Sequence, residues 1–347
     1  MKFLFYFSGE SPALALAELR ALFELSGLDF HIREQSARIV IIESKKADEA
    51  QIKKLSERSA LLRLSTSFIF STRADLKGLK KKFEETKWFE FVTSPFCVRV
   101  LDLTKKYKAK TPSLQAELAG PIWRALKKPS VDLKHPKTTI YVILTKSKFY
   151  VTKLIWTEPR GRFKARQPSA KPAFHPTALK PKLARLLVNL ARARKGTSLL
   201  DPFCGTGSIP LEAALIGCRA IATDIDPRML ARSKRNFDFF KVKGYKLQQV
   251  DATLLQEAFP RDSIDAIATD PPYRRASFAS EKDLQVLYSK FLKSASIVLK
   301  PGAYLSLMIP AHIKPTSIIS RQFKCVAAGT WYVHRALTRR IIVLRKR

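Results

Sequence analysis

Asp270-Pro271-Pro272-Tyr273 offers the sharpest chemistry in this 347-residue sequence. An exocyclic amine on a nucleobase is a poor nucleophile, because its lone pair is delocalised into the ring. To make it attack, a site must supply acceptors that hold the amine's hydrogens while the nitrogen rehybridises toward an electrophile. The Asp270 carboxylate and the Pro271 carbonyl are such acceptors. Pro271 and Pro272 stiffen the turn, and Tyr273 presents a ring face on which an extruded base can stack. A second constellation precedes the first. Only 12 glycines occur in the chain, yet Gly205 and Gly207 fall together in Asp201-Pro202-Phe203-Cys204-Gly205-Thr206-Gly207, where glycine lets backbone approach a ligand closely. The dinucleotide fingerprint G-x-G-x-x-G is broken by Pro210, and G-x-x-x-x-G-K-[ST] is broken too, which weakens NAD and ATP readings. D-x-x-x-G-x-G suits S-adenosylmethionine instead. Gly205, Thr206 and Gly207 would meet its amino-acid portion through backbone, and Asp201 would face a positively charged amine or an ordered water. Asp224, followed by Ile225, can accept from both ribose hydroxyls, and Asp251-Ala252 can meet the adenine amine. Each acid alone reads as a turn or helix cap. Three acids at successive strand ends beside a glycine-rich turn read as a cofactor site.

The elements that must position these residues are visible as apolar periodicity. From Gly196 onward, short runs at Ser198–Leu200, Ala220–Thr223, Leu247–Val250, Ala266–Thr269 and Tyr304–Met308 alternate with helical patterns. That alternation predicts a parallel α/β sheet with the acids at the carboxyl ends of its strands and a helix over 208–216 behind the glycine turn. Upstream, strands at 2–7 and 38–43 flank a helix from Ser11-Pro12 to Gly27. A further α+β pattern follows, with strands at 61–71, 96–101, 138–144 and 149–155 and helices at 74–85 and 114–127. Between Trp156 and Pro181 prolines alternate with cations and no apolar period survives, which predicts a basic linker. Its Arg160, Lys164 and Arg166 are candidate phosphate contacts. The last strand, 340–344, is expected to pair with the segment near 331–333. The reading is a multidomain α/β and α+β chain divided at 1–58, 59–155, 156–181 and 182–347.

Lys and Arg number 64 against 29 Asp and Glu, a net charge of +35, which points to a polyanionic partner. The hydrophobic fraction of 46% and charged fraction of 27% exclude a disordered chain. No apolar stretch is long enough to span a bilayer, and the run after Met1-Lys2 is shorter than a signal-peptide core, so the expectation is a cytoplasmic protein without a membrane partner. Cys97, Cys204, Cys218 and Cys325 form no C-x-x-C pair and the histidines no H-x-x-x-H spacing, which argues against a metal site or a disulfide framework. The cationic end, Arg339, Arg340, Arg345, Lys346 and Arg347, reads either as phosphate contacts or as a strand edge blunted by charge.

In Asp201–Gly207, Asp224 and Asp270–Tyr273 the chain resembles the Rossmann-like amino-methyltransferases of nucleic acids. Val131-Asp132-Leu133-Lys134-His135-Pro136, followed by the Ile140–Leu144 strand, looks like a THUMP domain. Phe174-His175-Pro176, the stretch from Ala184 to Leu190 and the ending His334-Arg335-Ala336-Leu337-Thr338-Arg339 resemble the archaeal-type THUMP tRNA guanosine N2-methyltransferases that act at position 10. The resemblance covers about residues 60 to 347, and the first 45 residues are similar, as a pattern, to that family's N-terminal ferredoxin-like domain. It implies a ferredoxin-like domain and a THUMP RNA-binding domain ahead of a Rossmann-like methyltransferase domain. It further implies methyl transfer from S-adenosylmethionine to the N2 amine of a tRNA guanosine, with tRNA as partner, and it admits a small activating protein subunit. His175 and Thr177 of the linker motif would line the cofactor pocket, or His175 would merely cap the next helix with Thr177. The family usually carries Gly after the D-P-P-Y tyrosine, where this chain has Arg274. One alternative is N2-methylation at another tRNA or rRNA guanosine; another is a DNA amino-methyltransferase, since D-P-P-Y also serves adenine N6 and cytosine N4 amines, against which the THUMP-like segment argues. A catalytically silent RNA-binding protein is a further alternative, against which Asp201, Asp224 and Asp270 argue.

Overall fold

The structure, a computed structural model, describes every residue except 177, 274–280 and 335–336. Its chain divides into two compact units, neither of them a contiguous stretch. The first holds Met1–Tyr6, Asp29–Glu57 and Arg63–Glu158, and the second holds Phe7–Leu28, Arg58–Leu62 and Pro159–Arg347.

β1 (Lys2–Phe7) leads into α1 (Pro12–Ser26). Proline at the helix start has its φ preset and no N–H to waste, and Gly27 ends the helix with φ +65, a left-handed cap that glycine adopts without a Cβ clash. Then come β2 (His31–Gln35), β3 (Ile39–Glu43), α2 (Glu49–Arg58), β4 (Leu62–Arg73), α3 (Leu76–Glu85), β5 (Phe96–Asp102), α4 (Thr111–Ala125), β6 (Thr138–Leu144) and β7 (Lys148–Thr157). The strands form one sheet in the order β2-β3-β1-β4-β7-β6-β5. β5 and β6 pair in parallel, so a crossover must join them, and α4 supplies it. Leu79, Phe83, Trp88, Leu114, Leu118 and Ile122 pack with β5, β6 and β7 residues into one apolar cluster. Two elements lie outside the sequence expectation, and the physical reason is the same for both. β2 is an edge strand, HIREQ, with no buried residue. α2, EAQIKKLSER, buries only Ile52, Leu55 and Ser56. Neither offers enough apolar contrast to show a period.

In the second unit, α5 (Pro181–Leu190), β8 (Ser198–Asp201), α6 (Ser208–Ala214), β9 (Arg219–Asp224), α7 (Pro227–Phe239), β10 (Tyr245–Gln249), β11 (Ile264–Thr269), α8 (Glu281–Val298), β12 (Leu299–Pro310), β13 (Phe323–His334) and β14 (Leu337–Lys346) follow in turn. The sheet order is β10-β9-β8-β11-β12-β14-β13. β10, β9, β8, β11 and β12 run parallel. β14 then inserts antiparallel between β12 and β13. β14 does pair with β13, but in a different register from the expected one: residues 340–344 lie opposite 325–330, from Arg340 against Thr330 to Leu344 against Cys325, and the segment at 331–332 faces Arg339 and Thr338 instead. Strand order reverses between β8 and β11, because the chain first steps outward to β9 and β10 and then returns. Such a switch point opens a crevice beyond the carboxyl ends of the strands. β8, β11 and β12 carry Leu200, Ile267, Leu305 and Leu307 into a core closed by Tyr288, Phe291 and Leu292 of α8. α1 also belongs to this unit. It lies against α5 and β13, and β13 has Gly329 where a Cβ would come within 2.6 Å of Leu14 Cγ. No described helix is long and apolar enough to cross a membrane.

Candidate active site

The switch point holds the site. Asp201 ends β8, nearly fully buried. Its Oδ1 accepts from the Thr269 hydroxyl at 2.7 Å and from the Phe203 N–H at 3.3 Å. Burial nevertheless dominates and pushes its carboxyl up to about 8, with the charges of Asp270 and Asp224 adding to the rise. The glycine turn that follows is gripped from α7. Ser233 donates to the Gly205 carbonyl at 2.8 Å and Asn236 Nδ2 to the Thr206 carbonyl at 2.9 Å. Asn236 Oδ1 also takes the Ala173 N–H at 3.0 Å, which ties the linker to the same turn. Gly207 has φ +81, and a Cβ there would meet the Phe237 ring at 2.7 Å. Gly205 has φ +53 with nothing within 4 Å of a Cβ, so its side facing the crevice is bare backbone. Asp224 ends β9, its Oδ2 taking the Gly205 N–H at 2.9 Å and its Oδ1 the Asp226 N–H at 3.0 Å. Each oxygen keeps a lone pair for a further donor.

A cavity of about 330 Å³ opens over these residues, lined among others by His175, Asp201, Gly205, Thr206, Asp224, Ile225, Asp270 and Pro272. Eight residues chosen from sequence therefore converge on one wall. Gly207 stands behind the wall as the hinge of the turn. Asp251 and Ala252 do not line it: Asp251 caps the turn after β10, its Oδ1 accepting from the Thr253 N–H and hydroxyl, both at 2.8 Å. Thr177 and Arg274 lie outside the described residues. Met229 of α7, Leu287 of α8 and Ser208 also line the cavity. They are helix residues with ordinary spacing, and only the tertiary fold marks them.

Asp270 follows β11 with its side chain 14% exposed. Its Oδ1 accepts from the Tyr273 hydroxyl, and its Oδ2 accepts from Arg339 at 3.1 Å. Burial raises its carboxyl above the usual range, while Arg339 and Tyr273 pull the other way. Tyr273 is part of this ion-pair cluster. Its hydroxyl holds the carboxylate, and the Arg339 guanidinium lies 4.7 Å from its ring centroid. The turn itself is pinned where Tyr288 of α8 donates to the Pro272 carbonyl at 3.0 Å, and Pro271 is buried.

The linker cations separate. Arg160 and Lys164 are exposed. Arg166 is turned inward, which corrects its expected role as a phosphate contact. Its Nε donates to Glu212 at 2.6 Å, and Arg185 holds the other oxygen of the same fully buried carboxylate at 2.7 Å. A buried carboxylate demands counter-charge, and Arg166 supplies it. Lys171 is buried too, donating to Ser208 at 2.8 Å, and burial pushes its ammonium down to about 8. The cationic end divides likewise. Arg340 donates to the Ile313 carbonyl, Arg345 to the Gly302 carbonyl, and Lys346 pairs with Asp262.

A five-stranded parallel sheet with an antiparallel hairpin, a bare-backbone turn and acids at its strand ends define a Rossmann-like methyltransferase. Comparison with known proteins agrees. Residues 168–341 match the RMKL-like methyltransferase domain and residues 73–153 the THUMP domain. The chain is 33% identical, over all of both chains, to a tRNA (guanine(10)-N2)-dimethyltransferase of Methanothermobacter thermautotrophicus. It is 29% identical, over 98% of each, to one of Methanocaldococcus jannaschii. The crystal structure of TrmN from Thermus thermophilus superposes over the full length of both chains with a TM-score of 0.57 at 22% identity, a likeness of fold. The chain belongs to the archaeal-type THUMP tRNA (guanine(10)-N2)-methyltransferase family.

Proposed function

We propose that this chain methylates the N2 amine of a tRNA guanosine at position 10, using S-adenosylmethionine. The observation that carries the reading is the single cavity at the switch point, onto which the glycine turn, Asp201, Asp224 and Asp270 all open. The bare backbone at Gly205 and the Asp224 carboxylate, whose two oxygens each keep a lone pair to spare, fit a ligand with hydroxyl and amine donors. When bound, S-adenosylmethionine supplies an electrophilic methyl group. Asp224 accepts from ribose hydroxyls and Ile225 covers an apolar face beside them. Asp201 meets positive charge, and His175 closes the linker side. Asp270 and the Pro271 carbonyl accept the hydrogens of the guanine amine, so that the nitrogen lone pair is released from the ring. Pro272 and Tyr273 fix that turn. Residues 59–155 grip the tRNA, and Arg160 and Lys164 add phosphate contacts. The setting is the cytoplasm, where tRNA is modified.

The test is to incubate an unmodified tRNA transcript with the chain and labelled S-adenosylmethionine, then to identify nucleosides by mass spectrometry. The expected product is N2-methylguanosine or N2,N2-dimethylguanosine, abolished when the tRNA carries adenosine at position 10. Methyl on an adenine N6 or on another guanosine rejects the assignment. Turnover by the chain alone removes any need for a small activating subunit.

A further inference from the structure

Arg339 lies within the cationic end of the sequence, where a phosphate contact or a blunted strand edge would be the ordinary expectation. The fold sends it elsewhere. β14 runs antiparallel to β12, with Arg339 opposite Pro310, so the start of β14 sits at the carboxyl end of the parallel strands, beside the crevice. There Arg339, its side chain 12% exposed, touches three groups. It donates to Asp270 Oδ2 at 3.1 Å, lies 4.7 Å from the Tyr273 ring centroid, and reaches Met308 Sδ at 3.4 Å. Guanidinium against carboxylate and against an aromatic face are both favourable where water is scarce.

We propose that Arg339 is a positioning residue for methyl transfer: it fixes the Asp270 carboxylate, keeps it charged, and occupies one face of Tyr273. The inference rests on the role given to Asp270 above. Asp270 must accept hydrogens from an amine that becomes positive as it attacks, and only the ionised carboxylate does this well. Burial works against ionisation. Among the described residues, the groups that interact electrostatically with Asp270 are Arg339 from β14, Tyr273 from its own turn, Tyr288 from α8 and Asp201 from β8. Arg339 is the cation among these described groups. Tyr273 holds one carboxylate oxygen and Arg339 the other, so rotation of the carboxylate is blocked from both sides. Because the guanidinium covers one face of Tyr273, a base that stacks on this ring must use the other.

The test uses the full chain with Arg339→Gln and Arg339→Lys. Two readouts are followed: the Asp270 carboxyl by carbon-13 NMR titration, assigned with Asp270→Asn, and the pH profile of kcat on an unmodified tRNA transcript. Removing the cation takes away the influence that lowers the Asp270 pKa, so this pKa rises and activity requires a higher pH. Arg339→Gln should move the carboxyl titration and the acid limb upward together by about one unit or more. It should cut kcat at neutral pH about tenfold and leave the tRNA KM within about twofold. Arg339→Lys should return the acid limb most of the way, with kcat still about threefold low because the planar stack is lost. An unmoved titration and acid limb in Arg339→Gln overturns the proposal. So does a loss confined to tRNA KM, which would make Arg339 a phosphate contact. If Arg339→Gln does not fold, Arg339→Lys decides, and a wild-type kcat overturns the proposal. If the wild-type chain methylates no tRNA, the reading of function fails, and the NMR titration alone decides on Arg339.

Discussion

Asp201 sits where a carboxylate is least at ease, at a buried strand end with two further acids nearby, and burial pushes its pKa up to about 8. In the unfolded chain it titrates near the usual value of about 3.9. The folded protein therefore holds this proton over a window in which the unfolded chain has released it. Stability from Asp201 is fully present below about pH 4 and is lost as pH rises through about 8. Asp201→Asn keeps an acceptor for Thr269 and should flatten that decline, as read by denaturant unfolding at several pH values. On the role proposed for it, the same residue should make cofactor binding pH-dependent. A positively charged amine placed beside it favours the ionised form, so binding below about pH 8 should release a proton. Calorimetry in buffers of different ionisation heat measures the release, and equal heats in all buffers would place the amine elsewhere.

At the scale of elements, the glycine turn works because α7 stands behind it. Ser233 and Asn236 take its carbonyls, and Phe237 fills the space that a side chain at 207 would need. Gly207→Ala combines an unfavourable φ with a clash against a buried ring, and should cost roughly 1–3 kcal/mol of stability. It should also weaken S-adenosylmethionine binding, since the Gly205 backbone shifts with the turn. Gly205→Ala has open space for its methyl group and should lose less stability while blocking the ligand's approach. A comparison of melting temperatures with cofactor affinities for the two variants checks this. Equal effects in both would mean that the turn is held by something other than α7.

For the whole molecule, the division of the chain matters more than its linear order. α1 and residues 58–62 belong to the second unit. Glu18 of α1, fully buried, accepts from Ser59, Ala60, Leu61 and Asn189. A chain beginning at residue 159 leaves Asn189 without Glu18 and uncovers the faces of α5 and β13. Each apolar side chain exposed costs about 1.5–3 kcal/mol, which several times over exceeds a domain's usual margin. Such a chain should show no cooperative thermal transition by calorimetry, whereas co-expression with residues 1–158 should restore one. Charge acts at this scale as well. With a net charge of +35, tRNA affinity should fall steeply with salt. Arg160→Ala and Lys164→Ala should each reduce the log–log slope by roughly one. Arg166→Ala should lower the melting temperature instead, because it strips Glu212 of a partner. A salt slope reduced equally by all three would put Arg166 back on the RNA.

By itself the sequence determined what short-range chemistry can encode. Proline and glycine punctuation placed α1 and the turn after β8 to within a residue or two. Apolar runs marked the parallel strands, because both faces of such strands are buried. Acids at strand ends followed from those boundaries, so Asp201, Asp224 and Asp270 were legible before any fold was known. Asp251 was legible in the same way, yet it is a cap, since an acid at a strand end satisfies backbone N–H groups as readily as a ligand. β2 and α2 were not legible, because half-exposed elements have little apolar contrast. Long-range pairing was not legible either. That Arg166 serves Glu212, that Arg339 serves Asp270, and that α1 packs on β13 are decided by contacts between residues 46, 69 and about 300 positions apart. Only the strand order brings them together. A guanidinium's type and neighbours in sequence say nothing of which carboxylate it will meet, because ion pairs form wherever burial leaves a charge without water.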